Sequence, residues 1–246
     1  ADMAITELRA PIRAALYPGF AKIAHEGERV RAALLDATGV LALVSLPIPL
    51  GIALTAADAV PLVLGPKWLP IVPVLEILGV GGALSALSTN SHLVLLALNR
   101  PHMVTIVAAL RLIVLAPAAF VLIPAHGPLG AAYALLAATS AVLAADYALS
   151  AWRLAIAPRR FVAVVWRPLL AAIAMAIVVQ ALRGWMGPSA TAAEQVTHLV
   201  LCAAVGAAVY AASVLALWRL MGMPEGAERR MISLLKSASR RVSGHG

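Results

Sequence analysis

Apolar residues dominate the chain in six long runs, at 37–57, 77–98, 103–125, 128–145, 161–182 and 196–218. Between them the sequence turns polar, and its basic residues gather in alternate gaps. Crossing a hydrocarbon layer of about 30 Å takes about 20 apolar residues at about 1.5 Å rise each. Four of the runs contain no Asp, Glu, Lys or Arg, and the other two hold only Arg111 and Arg167. A soluble helix needs a polar face, which these runs do not supply. The pattern predicts an all-α membrane protein with six transmembrane helices. Both flanks differ from the runs. In residues 1–36, Ile5, Leu8, Ile12, Leu16, Phe20 and Ile23 recur at helical spacing, interrupted by Pro11 and Pro18-Gly19. Short linker helices lying on the interface are expected there. In the tail, 219–246, Met231, Leu234, Leu235, Ala238 and Val242 share one helical face and basic residues occupy the rest. That composition predicts an amphipathic helix resting on anionic membrane lipid.

Local punctuation refines the runs. Pro47 and Pro49 remove backbone donors from the first run and are candidate hinges. Gly65-Pro66 marks a turn, with Trp68 suited to the interface. His126-Gly127-Pro128 is tight enough to fold the third and fourth runs into an antiparallel hairpin. Gly82, Ala86 and Asn90, at steps of four, would let a neighbouring helix approach the second run closely. The fifth run is the weakest, because Arg167-Pro168 leaves residues 168–182 as its charge-free part, and Arg167 must reach back to the surface.

Composition sharpens the class. The 246 residues are 62% hydrophobic and 12% charged, with a mean hydropathy of +0.93, against about 25% charged in soluble domains. The net charge of +8 does not indicate nucleic acid, since the basic residues form no single patch and only 5% of residues are aromatic. The single cysteine, Cys202, precludes an intrachain disulfide. The opening residues, Ala1-Asp2-Met3-Ala4-Ile5, begin in mid-pattern and suggest a fragment of a longer protein. Counted by loop, one side holds 15 basic residues and the other only Lys67 and Arg183, two in all. Positive loops remain cytoplasmic, so both termini are expected inside.

Candidate chemistry is sparse. The sequence has no nucleophile elbow, no phosphate-cradling loop and no metal-ligand spacing. No enzyme activity, cofactor or metal is expected. Polar groups at membrane depth remain. Counted from the turn near Pro101, Asn90 and Arg111 both lie about 15 Å along their helices, with Ser88, Thr89, Ser91 and His92 in the same layer. A charge at that depth costs about 2.5–3.5 kcal/mol on insertion scales and should face protein or water. Arg111 either lines a cavity or snorkels as a structural residue, and Asn90 and His92 serve either as interhelical hydrogen-bond partners or as ligand groups; with Ser91 these are the candidates for a substrate cavity. Asp146, expected near the inner surface below Arg111, is either a plain interfacial residue or an ion-pair partner of Arg111, and Glu76 most simply reaches water.

Several short motifs carry a family resemblance. They are Leu16-Tyr17-Pro18-Gly19-Phe20-Ala21-Lys22-Ile23 with Glu28-Arg29-Val30-Arg31; Pro61-Leu62-Val63-Leu64-Gly65-Pro66-Lys67-Trp68 with Pro70 and Pro73; Val94-Leu95-Leu96-Ala97-Leu98-Asn99-Arg100-Pro101; and Gly127-Pro128-Leu129-Gly130-Ala131-Ala132. In order and spacing, over most of residues 5–155, the chain resembles the polysaccharide-biosynthesis flippases of the multidrug/oligosaccharidyl-lipid/polysaccharide exporter superfamily. The resemblance implies one six-helix lobe of a two-lobe transporter, the C-terminal one, whose N-terminal lobe is missing here. It implies a lipid-linked oligosaccharide substrate of the undecaprenyl-pyrophosphate type, moved across the bacterial inner membrane by alternating access. Other classes would show themselves differently. A cation-coupled drug exporter of the same superfamily asks for a central intramembrane carboxylate. A membrane-embedded glycosyl- or acyltransferase asks for acidic or histidine loop motifs, and a non-transporting scaffold asks for neither. Reporter fusions in whole cells should place Lys67, His126 and Met186 outside and Pro158 inside; Pro158 outside would refute the topology.

Overall fold

The computed structural model describes residues 27–97, 101–187 and 191–220, the side chains of 89–97 and 101 excepted. Of the interfacial segments expected at 1–36 and 219–246, residues 1–26 and 221–246 lie outside the described residues. Those described are helical and include no strand. In order they form α1 (Gly27–Ser45), α2 (Pro47–Leu54), α3 (Ala56–Val63), a 3-10 turn (Pro66–Ile71), α4 (Val72–Ala97), α5 (Pro101–His126), α6 (Pro128–Leu154), α7 (Pro158–Met186) and α8 (Ala192–Leu220). Six stretches among these are long and apolar enough to cross a membrane: Gly27–Leu54, Pro66–Ser88, His102–His126, Pro128–Leu154, Pro158–Met186 and Ala192–Leu220. The protein is a multi-pass, all-α membrane protein.

The elements overrun the apolar runs where amphipathic residues extend them. The first helix starts at Gly27, not near residue 37. Arg31 pairs with Glu28 at 2.6 Å one turn apart, and Val30 and Leu34 are buried on the opposite side. The polar residues thus decorate the first turns of a helix without ending it. Likewise the fourth helix continues through Asp146 to Leu154, because every fourth residue along it, from Ala134 through Ala138, Val142, Asp146 and Ser150 to Leu154, is buried. Pro168 sits fully buried inside α7, which runs unbroken from Pro158 to Met186; Arg167-Pro168 therefore does not shorten the fifth span.

The described residues fall into two compact units, one of 27–37 with 84–162 and the other of 38–83 with 163–220. In the first, α5 and α6 form the expected hairpin. Gly127 turns the chain at φ 60°, a backbone conformation that glycine adopts without steric cost. Pro128 then opens α6 where no backbone donor is needed. Three residues on, Gly130 lies directly against the backbone of Leu122, where a Cβ would collide. At the far end of α6, Val30, Leu34, Leu154, Ile156 and Phe161 form a closed apolar cluster. The Tyr147 ring meets Phe161 edge-on at 4.8 Å.

In the second unit α8 packs along α7. Cys202, Gly206 and Tyr210, four residues apart, are its buried positions. They meet Ala171, Ala172, Met175 and Val179, and a Cβ at Gly206 would approach Val179 to 3.1 Å. Small residues permit this spacing in lipid, where van der Waals contact rather than water expulsion holds helices together. Thr191 and Glu194 cap the start of α8 reciprocally: Glu194 N–H donates to Thr191 Oγ1 at 3.2 Å, and Thr191 N–H donates to Glu194 Oε2 at 3.3 Å. This arrangement satisfies two N-terminal donors of the helix.

Candidate functional site

Arg111 lies midway along α5. The buried side of that helix is the line of Met103 and Val107, continued by the half-buried Leu110, Val114, Ala118 and Leu122. Elsewhere α5 is open, its other described side chains being exposed or half-buried. Arg111 belongs to the open surface and, among the described residues, has no hydrogen-bond or ion-pair partner. Asp146, by contrast, is 0% exposed on the packed ridge of α6. Antiparallel stepping from the Leu122–Gly130 contact sets Arg111 level with residue 141. Asp146 is then offset along the axis by about 7.5 Å, and no ion pair links the two. Asn90, Ser91 and His92 lie in α4, and their side chains are outside the described residues. Ser88, in the same layer, is buried at 5% exposure. Glu76 is exposed.

Pro47 and Pro49 stand at a real discontinuity. The first span is broken at Leu46, with Pro47 opening α2, and again at Thr55. Each break strands a carbonyl, and each stranded carbonyl is met by a side chain from a distant helix. Pro47 has no N–H to give to the Leu43 carbonyl one turn back. The Tyr210 hydroxyl of α8 donates to that carbonyl instead, at 2.8 Å and buried. At Thr55 the hydroxyl donates back to Gly51 O at 2.9 Å, alongside the Thr55 N–H at 3.1 Å; such back-bonding bends helices. Asp58 N–H then bonds Thr55 O at 3.1 Å rather than the carbonyl of Leu54. Arg183, in the last turn of α7, donates to Leu54 O at 2.8 Å. Its Nε also sits 3.2 Å from Asp58 Oδ2, with side-chain exposures of 21% and 10%, an ion-pair contact rather than an aligned hydrogen bond. A guanidinium at the edge of the apolar region thus finds a carboxylate and a carbonyl together, the conditions under which a charge is tolerated there. Across the bend, Gly79 of α4 packs against Ala53 and the Pro49 carbonyl so closely that a Cβ would overlap Ala53.

One comparison with known proteins falls on this same region. The family described as Polysaccharide biosynthesis protein matches residues 1–73, a segment that includes the whole broken span. Over these residues the chain is similar to the polysaccharide-biosynthesis proteins. It is 38% identical over 84 residues to the teichuronic acid biosynthesis protein TuaB of Bacillus subtilis (strain 168), and 35% over 85 residues to the lipopolysaccharide biosynthesis protein WzxC of Escherichia coli (strain K12). An uncharacterized membrane protein in the cps region of Klebsiella pneumoniae is 39% identical over 69 residues. These stretches cover 34%, 35% and 28% of this chain, but the chain spans only 17%, 17% and 14% of the relatives' lengths. No solved structure matches.

Within this family relationship, the matched segment supplies the stranded carbonyls of Leu43 and Leu54, while their donors, Tyr210 and Arg183, lie beyond it. Sequence reasoning counted Arg183 as a loop charge and passed over Asp58 and Tyr210. The available signal was Pro47, which announces an orphaned carbonyl four residues earlier without naming its donor. Removing the Tyr210 hydroxyl in Tyr210→Phe should cost about 1–3 kcal/mol by leaving a buried carbonyl unmet, read as a lower Tm in detergent. Pro47→Ala returns an N–H to Leu43, so in that background the same change should cost less than about 0.5 kcal/mol. Equal losses in both backgrounds would mean that the hydroxyl acts elsewhere.

Proposed function

We propose that the chain is one lobe of a polysaccharide-biosynthesis flippase, the C-terminal of two, and that the complete transporter moves lipid-linked oligosaccharide across the bacterial inner membrane. The relatives' involvement in teichuronic acid and lipopolysaccharide biosynthesis supports the substrate class. The chain matches 17% of the length of each of those relatives, as one part of a larger transporter would. In this reading the N-terminal lobe is the chain's principal partner and both termini are cytoplasmic.

The observation that carries the reading is Arg111. A guanidinium midway along an apolar helix costs about 2.5–3.5 kcal/mol or more if it faces lipid, yet Arg111 lies on the open surface of α5. A second lobe facing α5 across a wet cavity removes that cost. A substrate pyrophosphate passing through the cavity meets a planar donor fork suited to phosphate oxygens. Asn90, Ser91 and His92 supply hydrogen-bonding groups for sugars at a similar depth. The cavity has no bond to make or break. Its task is to replace hydration while the polar headgroup crosses. Alternating access requires elements that bend, and the first span is already divided at Leu46 and Thr55.

In the full-length parent protein, Arg111→Ala should abolish glycan export while leaving membrane abundance nearly unchanged. Arg111→Lys should restore export only in part, since ammonium lacks the bidentate fork. If Arg111→Ala and Asp146→Ala instead lose abundance equally, Arg111 is structural and the assignment falls.

A further inference from the structure

The apolar cluster closing the first unit gathers charge around itself as a consequence of its sequence. Val30 is flanked by Arg29 and Arg31, Leu154 follows Arg153, and Phe161 follows Arg160. Burying Val30, Leu34, Leu154, Ile156 and Phe161 together therefore draws these arginines onto the rim of one cluster. Topology sets the rim at a membrane boundary: α1 begins there, α6 ends there and α7 starts there. Ala155, at φ 48°, reverses the chain between α6 and α7, with Ile156 N–H bonded to Ala151 O at 3.0 Å. Arg29, Arg153, Arg159 and Arg160 are exposed. Arg159 and Arg160 have no partner among the described residues, and the acid on this rim, Glu28, is engaged by Arg31. Trp152 is 71% exposed, with the Arg153 guanidinium 4.3 Å from its ring centre.

This combination identifies its partner by chemistry. Guanidiniums such as those of Arg159 and Arg160 bind phosphate oxygens well. Indole is favoured at the headgroup level of a bilayer, where Arg153 is held over it by a cation–π contact. A water-soluble acidic partner accounts for the arginines but not for an exposed indole at the end of three spans. We propose that the rim formed by Trp152, Arg153, Arg159 and Arg160 is a docking surface for the headgroups of anionic phospholipid. It would fix the α1, α6 and α7 ends at one depth, separately from any role of Arg111 in transport.

The test uses the whole chain in nanodiscs of phosphatidylcholine containing a minor fraction of spin-labelled phosphatidylglycerol or, in parallel, spin-labelled phosphatidylcholine. The protein should immobilise the phosphatidylglycerol label preferentially. The combined Arg153→Gln, Arg159→Gln and Arg160→Gln variant should lose on the order of 10-fold of that preference, while lysine at the same three positions should keep most of it. An unchanged preference in the glutamine variant overturns the proposal. So does selectivity that appears only when a polyprenyl diphosphate replaces phosphatidylglycerol, because the surface then serves the transported lipid. If the glutamine variant does not assemble, titrating the wild-type protein with potassium chloride reads the same property. Preference that falls as salt screens the charges supports the proposal, and salt-insensitive preference contradicts it.

Discussion

A backbone carbonyl left unmet in hydrocarbon costs several kcal/mol, because no water is present to take the place of a lost helical donor. The described helices follow from that constraint, and the first span shows what happens when the sequence works against it. Pro47 and the bend at Thr55 each strand a carbonyl in the midst of apolar surroundings. Neither is left alone: Tyr210 reaches one and Arg183 the other. The last two spans of the second unit are thereby tied to the first by directional bonds as well as by packing. A broken helix held in this way is a bend with a defined resting position. Its release requires the exchange of two hydrogen bonds rather than the melting of a segment.

Packing obeys the same economy of contact. Between helices in lipid, close approach replaces hydrophobic expulsion as the source of cohesion. Among the described residues, a methyl group would collide at Gly79 on the bend and Gly130 at the hairpin, and would be tight at Gly206 between α7 and α8. Each fixes a register that the apolar side chains around it would leave free to slide. Three residues before Gly82, Gly79 on the same helix makes close contact with the first span.

Features encoded locally were legible in the sequence. The six spans follow from length and hydrophobicity, and the hairpin follows from Gly127-Pro128. Helix ends were less so, because Glu28, Arg31, Trp152 and Arg153 are polar or interfacial residues that continue a helix without lengthening its apolar run. Arg111 stood out as a lone charge, and its open position on α5 agrees with that signal. Asp146 was legible as a charge but not as a member of a packed ridge, since burial on one face emerges only when α5 and α6 meet. The bonds securing the bend were not legible at all. Arg183 and Leu54 are 129 residues apart, and Tyr210 and Leu43 are 167 apart. No local pattern carries the register between helices so distant in the chain.

The most direct test of this account observes the Leu43 carbonyl itself. Isotope-edited infrared spectroscopy of the protein labelled with ¹³C=¹⁸O at Leu43, in lipid, should show a hydrogen-bonded amide band in the wild type. In Tyr210→Phe that band should move to the higher frequency of a free carbonyl, and Pro47→Ala should return it. A band at the same position in the wild type and in Tyr210→Phe would show that the first span meets its own carbonyls, and the bend would no longer depend on the last helix.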